Sequence, residues 1–104
     1  DLNMITGTFS GDGTSSAYVV PAHNNAGAVL LAPPLMVASV HGVWGGATVT
    51  LYQTIPGGTP LAIYNGVWTS DTHKSVTVVQ GASYHLECSG SGSPIPALEY
   101  AFGA

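Results

Sequence analysis

Alternation of apolar and polar side chains, broken by glycine or proline every few residues, constrains this chain to short β-strands. The segment TVTLYQT at 48–54 places Val49 and Leu51 on one face and threonines on the other. The segments KSVTVV at 74–79 and SYHLECS at 83–89 alternate in the same way. Apolar residues at helical spacing are hard to find, because glycine, proline or a β-branched residue interrupts each apolar stretch. We therefore predict an all-β chain.

The spacing of these segments predicts the architecture. Counting gives about eight short strands separated by turns, which is typical of an antiparallel β-sandwich. We expect the sandwich to be jelly-roll-like, with an immunoglobulin-like sandwich as the alternative. The run SGSGS at 89–93 is too short to separate domains, so residues 1–104 are expected to form a single domain.

Glycine-containing turns predict three hairpins. Gly45 and Gly46 suit the positive φ angles of a primed turn, so the strands on either side of them are predicted to be antiparallel neighbours. Asn65–Gly66, between LAIY and VWTS, is the strongest short-range hairpin signal, and Gly11–Gly13 predicts a third hairpin. The remaining predicted loops are HNNAG at 23–27 and PP at 33–34.

Charge is the most unusual part of the composition. Charged residues make up 6% of the chain, and Lys74 is its only lysine or arginine, whereas an ordinary soluble domain has roughly a quarter. Threonine, serine, asparagine and glycine stand at the surface instead, so the net charge of −4 opposes association only weakly. A surface of this kind is suited to permanent contacts, because covering it strips water from few ions.

The same shortage of cations excludes two classes of partner. Phosphate binding depends chiefly on lysine and arginine, so we predict no nucleic-acid binding. Anionic membranes attract proteins through the same residues, and no apolar run reaches the roughly 18 residues of a membrane span. We therefore expect no membrane partner either.

Catalytic chemistry has little support in the sequence. No G-x-S-x-G elbow is present, the carboxylates are scattered, and alternation places Cys88, the only cysteine, on the inner face of its strand. An apolar setting keeps such a thiol protonated and unreactive. We predict that the chain is not an enzyme. The rival hypothesis is a hydrolase assembled only by folding, which would need one cleft with convergent histidine and carboxylate groups, and we expect no such cleft.

One pair of residues is a candidate for metal binding. His85 and Glu87 share a strand face, and His41 or His73 would be needed to complete a site. Without an H-x-H or C-x-x-C spacing, we favour a polar pair on a solvated face. We predict no metal and no cofactor, although histidines of several chains around a symmetry axis would also form a site.

Aromatic residues near turns are the candidate contact residues. Trp44 adjoins the Gly45–Gly46 turn, while Tyr64 and Trp68 flank Asn65–Gly66. Rings at exposed tips stack on sugars or anchor protein interfaces. The alternative is that these rings cap the ends of the sandwich core.

The last roughly 60 residues resemble small all-β structural proteins of tailed bacteriophages, above all head decoration, cement and fibre-type proteins. The likeness is one of pattern: a G-A-T-V-T-L-Q strand, a G-G-T turn, a T-x-D-G-type turn, a V-T-V-x-x-G strand end and a Y-x-L strand. The matching pieces are Gly46–Gln53, Gly57–Thr59, Thr69–Asp71, Val76–Gly81 and Tyr84–Leu86. Pro60 and His85 depart from the pattern, where the family often has an aromatic residue and an arginine.

This resemblance implies a virion structural protein on the outer surface of a phage capsid. Its expected partners are the major capsid protein and copies of itself, with a trimer as the expected oligomer. The alternative function is a receptor- or glycan-binding module of a fibre or adhesin, acting through Trp44, Tyr64 and Trp68. The family has no catalytic residues to carry over.

Overall fold

The computed structural model describes residues 4–21 and 35–104. In it, two antiparallel sheets pack face to face. Sheet A contains, in spatial order, β1 (Ile5–Phe9), β9 (Ala97–Gly103), β4 (Leu35–Val43) and β7 (Thr72–Thr77). Sheet B contains β2 (Gly13–Thr14) and β3 (Tyr18–Val19), which both pair with β8 (Ser83–Ser89), followed by β5 (Thr48–Thr54) and β6 (Leu61–Trp68). The predicted all-β sandwich is confirmed.

The strand pairs are nested in the chain. The first strand pairs with the last, β2 and β3 pair with β8, β4 pairs with β7, and β5 pairs with β6. Two further ladders, β4 with β9 and β5 with β8, complete the sheets. This nested order is that of a jelly roll, and it differs from the immunoglobulin arrangement, in which the first strand shares a sheet with the second.

The core lies between the two sheets and is made by the predicted alternation. Val76 and Val78 are buried while Ser75 and Thr77 are exposed, and Tyr84, Leu86 and Cys88 of β8 all face inward. The largest fully buried side chains are Tyr84, Phe102, Met36, Leu51, Leu86, Leu98, Val40 and Val49. They come from four strands, two in each sheet, so the apolar faces of both sheets contribute to one core.

The three predicted hairpins are wrong. The Gly45–Gly46 turn has the expected positive φ angles of 57° and 80°, but it leads from β4 in sheet A to β5 in sheet B. Residues 10–12 likewise connect β1 and β2 in different sheets. Asn65–Gly66 is not a turn between strands, because β6 continues through it to Trp68.

An irregularity in β6 explains the signal at Asn65. Thr50 is opposite Val67 and Tyr52 is opposite Ala62, so one residue of β5 faces four of β6. Asn65 has a φ of 61°, in the left-handed region that asparagine tolerates better than most residues. Residues 63–66, which include the dipeptide, therefore form a large irregular bulge in an edge strand.

No helix that could cross a membrane occurs in residues 4–21 and 35–104. The loops predicted at 23–27 and 33–34 lie outside the described residues.

Candidate functional site

Tyr64 is the most exposed of the three candidate rings. It lies within the bulge of β6, and 91% of its surface is accessible. Its ring lines a groove of about 490 Å³ between β6 and β7, the two strands that form one lateral edge of the sandwich. The expected exposure of this ring is confirmed, and its role as a contact residue stays a prediction.

The groove brings the only lysine to the same place. Lys74 lies two residues before buried Val76 and therefore on the same, inner side of β7. Its stem points toward the gap between the sheets. Its Nζ donates a hydrogen bond to the Asn65 carbonyl oxygen at 3.4 Å. The ion pairs found within the described residues both involve histidine and leave this ammonium without a carboxylate partner.

The rest of the groove has two kinds of wall. Along β6 the lining is mainly apolar, with Leu61 exposed by 70%. Along β7 it carries hydroxyls, and Gln53 of β5 adds an amide from the inner side. The lining residues are Gln53, Leu61, Ala62, Ile63, Tyr64, Asn65, Lys74, Ser75, Val76 and Thr77.

Trp68 is a core residue and not an exposed contact. Only 8% of its surface is accessible, and its indole Nε1 donates to the Asn65 carbonyl oxygen at 2.9 Å. The expectation of a ring at an exposed tip is wrong for this residue, since the strand runs on past Asn65 and carries the ring inward. Trp68 follows the alternative of a ring that completes the core.

Trp44 is intermediate between an exposed contact residue and a core residue. It is half-buried and packs against the core, and its Nε1 donates to Asp71 Oδ1 at 2.8 Å. The Gly42 amide donates to the same oxygen at 3.2 Å. These two bonds, the one from Trp44 first, hold the pKa of the Asp71 carboxyl below its usual range. The bond fixes the ring against the β6–β7 connection, so Trp44 and Tyr64 do not share the groove.

His85 and Glu87 form the predicted polar pair on the outer face of sheet B. Their Nε2 and Oε2 atoms are 3.0 Å apart, and the imidazole stacks on Tyr52 with ring centres 5.2 Å apart. The side chain of His85 is only 14% exposed because these neighbours cover it. Throughout the described residues, no three histidine, cysteine, aspartate or glutamate side chains come close enough to hold a metal ion.

A shallow cleft on the outer face of sheet A contradicts the expectation that no cleft brings histidine and carboxylate groups together. His41 and Glu99 line a depression of about 390 Å³ together with the hydroxyl-bearing Thr6, Thr8 and Ser39. Histidine and carboxylate therefore do converge, because β9 sets Glu99 directly opposite His41. The Nε2–Oε1 distance is 3.6 Å and both side chains are more than half exposed, so water competes for the contact.

Cys88 is buried, as predicted. Burial raises the pKa of its thiol, and the nearby Asp12 carboxylate adds to the effect. Both influences disfavour the thiolate, which is the reactive form.

Comparison of the chain with protein-family models and with curated proteins finds no match.

Lys74 and Gln53 are the groove residues that sequence reasoning did not assign to a site. Lys74 stood out as the only cation, and its spacing from Val76 already placed it on the inner side of its strand. No signal in the sequence set this strand beside Tyr64, since β6 and β7 belong to different sheets.

Proposed function

We propose that this chain is a non-enzymatic structural protein of a tailed-phage virion, which decorates or cements the outer capsid surface as an oligomer. Its partners in this proposal are the major capsid protein and other copies of the chain, with three copies as the expected assembly. The resemblance of its last roughly 60 residues to decoration and fibre-type proteins supports the virion setting. Jelly rolls serve many functions, so the fold alone does not carry the proposal.

The observation that carries the proposal is the outer face of sheet A, the side chains that point away from sheet B. Leu35 and Val37 are exposed there by 57% and 39%. Val37 lies between Ser75 and Gly103 on the neighbouring strands. In the four strands of this sheet, Glu99 is the only formally charged side chain on that face.

A face of this kind can be covered at low electrostatic cost. Each ion buried without a partner costs several kcal/mol in lost hydration. Valine and alanine side chains have no such penalty, and neither do hydroxyl groups whose hydrogen bonds are satisfied. Interface centres are depleted of charge for this reason. Ten large apolar side chains are exposed in the described residues, while the whole sequence contains one lysine or arginine and five acidic residues. This balance favours a surface that neighbouring proteins cover.

Sedimentation velocity over a range of concentrations tests the self-association. The wild-type chain is expected to form an oligomer, and Val37→Lys is expected to weaken association by at least about tenfold, since it places an ion in the interface. Ser89→Lys is the matched control, because it adds the same charge to an exposed strand end of sheet B. Equal association of the two variants contradicts the assignment of the sheet A face.

Electron microscopy of phage particles that carry this chain tests the virion assignment. The chain is expected as ordered density on the outside of the capsid, at symmetry-related positions. A chain that remains monomeric at high concentration and is missing from the capsid surface contradicts the proposed function.

A further inference from the structure

The ammonium of Lys74 lines the groove between β6 and β7 with hydrogen-bonding capacity to spare. Its one bond, to the Asn65 carbonyl oxygen, is long at 3.4 Å, and that oxygen already accepts from Trp68 Nε1 at 2.9 Å. A lysine ammonium has three hydrogens to donate. In the part of the chain that the structure describes, no aspartate or glutamate lines the groove. The only formal cation of a chain with a net charge of −4 is thus placed where it can bind an external anion.

Tyr64 places an aromatic ring beside this ammonium. It directly precedes Asn65, whose carbonyl oxygen Lys74 contacts, and it lines the same groove. The ring pairs in the described residues do not include Tyr64, which is 91% exposed. A ring with this much free surface can stack on the apolar face of a ligand.

Gln53 adds a polar group from the inner side of the groove. Its Nε2 donates to the buried hydroxyl of Tyr84 at 2.5 Å, which holds the amide in place. The amide oxygen is an acceptor that this bond does not use. A ring, a cation and a fixed amide therefore converge on a groove of about 490 Å³, a size typical of small-ligand sites.

We propose that the β6–β7 groove binds an acidic saccharide, whose sugar ring stacks on Tyr64 and whose carboxylate pairs with Lys74. The two contacts have separate roles. Stacking recognises the apolar face that neutral and acidic sugars share, whereas the ammonium selects the acidic sugar through a charge-assisted hydrogen bond. The Gln53 amide oxygen is placed to accept from a sugar hydroxyl.

The bulge disfavours an extended peptide as the ligand. Only Leu61 and Ala62 of the groove's β6 wall pair regularly with β5, and residues 63–66 leave the ladder. A peptide that adds to a sheet edge needs a regular row of main-chain groups. A saccharide needs no such row, because the side chains of the groove recognise it.

An inward-pointing lysine on an edge strand also discourages pairing with other chains. That role requires only the charge, and it predicts no discrimination between sugars. The saccharide site does not depend on the proposed function either, since neither Leu35 nor Val37 lines the groove. Sugar binding by a chain that is absent from capsids contradicts the virion assignment alone, whereas a chain found on capsids that binds no sugar contradicts the groove alone.

A titration followed by NMR tests the site. The probes are the methyl glycosides of glucuronate and galacturonate, and their neutral twins are methyl glucoside and methyl galactoside. At least one uronate is expected to shift the amide signals of residues 61–65 and 74–77 and to bind about fivefold more tightly than its neutral twin. This difference should shrink as salt is added, because the ion pair is partly exposed to solvent.

Variants separate the two contacts. Lys74→Gln is expected to reduce the affinity for the uronate to that of the neutral twin, and Lys74→Arg, which keeps the charge, should retain a difference between them. Tyr64→Ser is expected to weaken both sugars severalfold. Val67→Ser is the matched control, because Val67 is exposed on the same strand but does not line the groove. Its affinity for the uronate should be that of the wild type.

Four results overturn the proposal. They are the absence of shifts at 61–65 with either uronate at high millimolar concentration, equal affinity for a uronate and its twin, discrimination that persists in Lys74→Gln, and sodium acetate binding as tightly as the uronate. The last result would make the groove a site for any carboxylate, with no contribution from the sugar ring. Signals outside the groove that match those of the wild type show that each variant is folded.

Discussion

Trp44 Nε1 and Asp71 Oδ1 are joined by a hydrogen bond of 2.8 Å that links the end of β4 to the β6–β7 connection. The same carboxylate oxygen accepts from the Gly42 amide at 3.2 Å. One exposed aspartate thus bonds to two residues of another segment, Trp44 and Gly42, which precede it in the sequence by 27 and 29 positions. This contact explains why Trp44 is fixed at the end of the sandwich.

The Asp71 contact makes stability depend on pH. The hydrogen bond from Trp44, followed by that from Gly42, lowers the pKa of this carboxyl from its ordinary 3.8. The folded pKa is below the unfolded one, so the stabilisation is fully present above pH 3.8 and is lost as the pH falls through the folded value. Asp71→Asn should therefore lower the melting temperature at pH 7 and have a smaller effect near pH 3.

Thermal unfolding of the single and double variants checks this assignment. In a Trp44→Phe background the largest donor is missing, so Asp71→Asn is expected to have a smaller effect at pH 7 than in the wild type. An undiminished effect would show that the charge of Asp71 acts through some other group.

Trp68 stabilises the core, and its removal should be costly. The ring is 8% exposed and its Nε1 bonds the Asn65 carbonyl oxygen. Trp68→Ala is expected to lower the free energy of unfolding by about 3–5 kcal/mol through loss of buried contacts and the cavity left behind. Trp68→Phe keeps most of the apolar volume and should cost less. Urea unfolding measures both, and a change below 1 kcal/mol for Trp68→Ala would contradict its role in the core.

This burial changes how binding experiments are to be interpreted. Lost binding in Trp68→Ala reports damage to the fold, since the side chain has little surface to offer a ligand. Tyr64 is the ring whose truncation tests a contact surface, because its side chain projects almost entirely into solvent.

Asn65 carries a backbone conformation that a branched residue resists. Its φ of 61° lies in the left-handed region, where a residue with a Cβ atom other than asparagine or aspartate is disfavoured by about 1–2 kcal/mol. Asn65→Val should lower the free energy of unfolding by about this amount, while Asn65→Gly should leave it nearly unchanged. Ser75→Val, at an exposed position of the regular strand β7, is the control for adding a valine. Equal urea midpoints for Asn65→Val and the wild type would contradict the strain.

The turn chemistry and the strand pairing were predictable to different degrees. Gly45, Gly46 and Asn65 do adopt positive φ angles, whereas Gly66 does not. Their consequences were predicted wrongly, because a tight turn fixes the local backbone and not the sheet that the next strand joins. In the nested order, β4 pairs with β7 and β9, and neither partner is adjacent to it in the chain. Alternation predicted the core faces well, since it depends only on the strand's own period of two.

In the candidate site, too, local features were predictable from the sequence and contacts between strands were not. Exposure of Tyr64 and the inner placement of Lys74 follow from local pattern, but their meeting across the groove depends on the packing of two sheets. Trp68 looked like an exposed residue only because Asn65–Gly66 was interpreted as a turn. The bulge lets β6 continue, and the alternation then carries the indole into the core.

The hydroxyl of Tyr84 supplies the last prediction. This fully buried tyrosine accepts hydrogen bonds from Gln53 Nε2 at 2.5 Å and from the Val79 amide at 3.0 Å. Tyr84→Phe removes the acceptor and leaves both donors without it. Gln53 lines the groove and can turn toward water, whereas the Val79 amide is fixed by the backbone. The expected loss in free energy of unfolding is about 1–2 kcal/mol, measured by urea unfolding. Tyr64→Phe is the matched control, since its hydroxyl is in solvent and its removal should change stability by less than about 0.5 kcal/mol. Similar losses in the two variants would contradict a structural role for the buried hydroxyl.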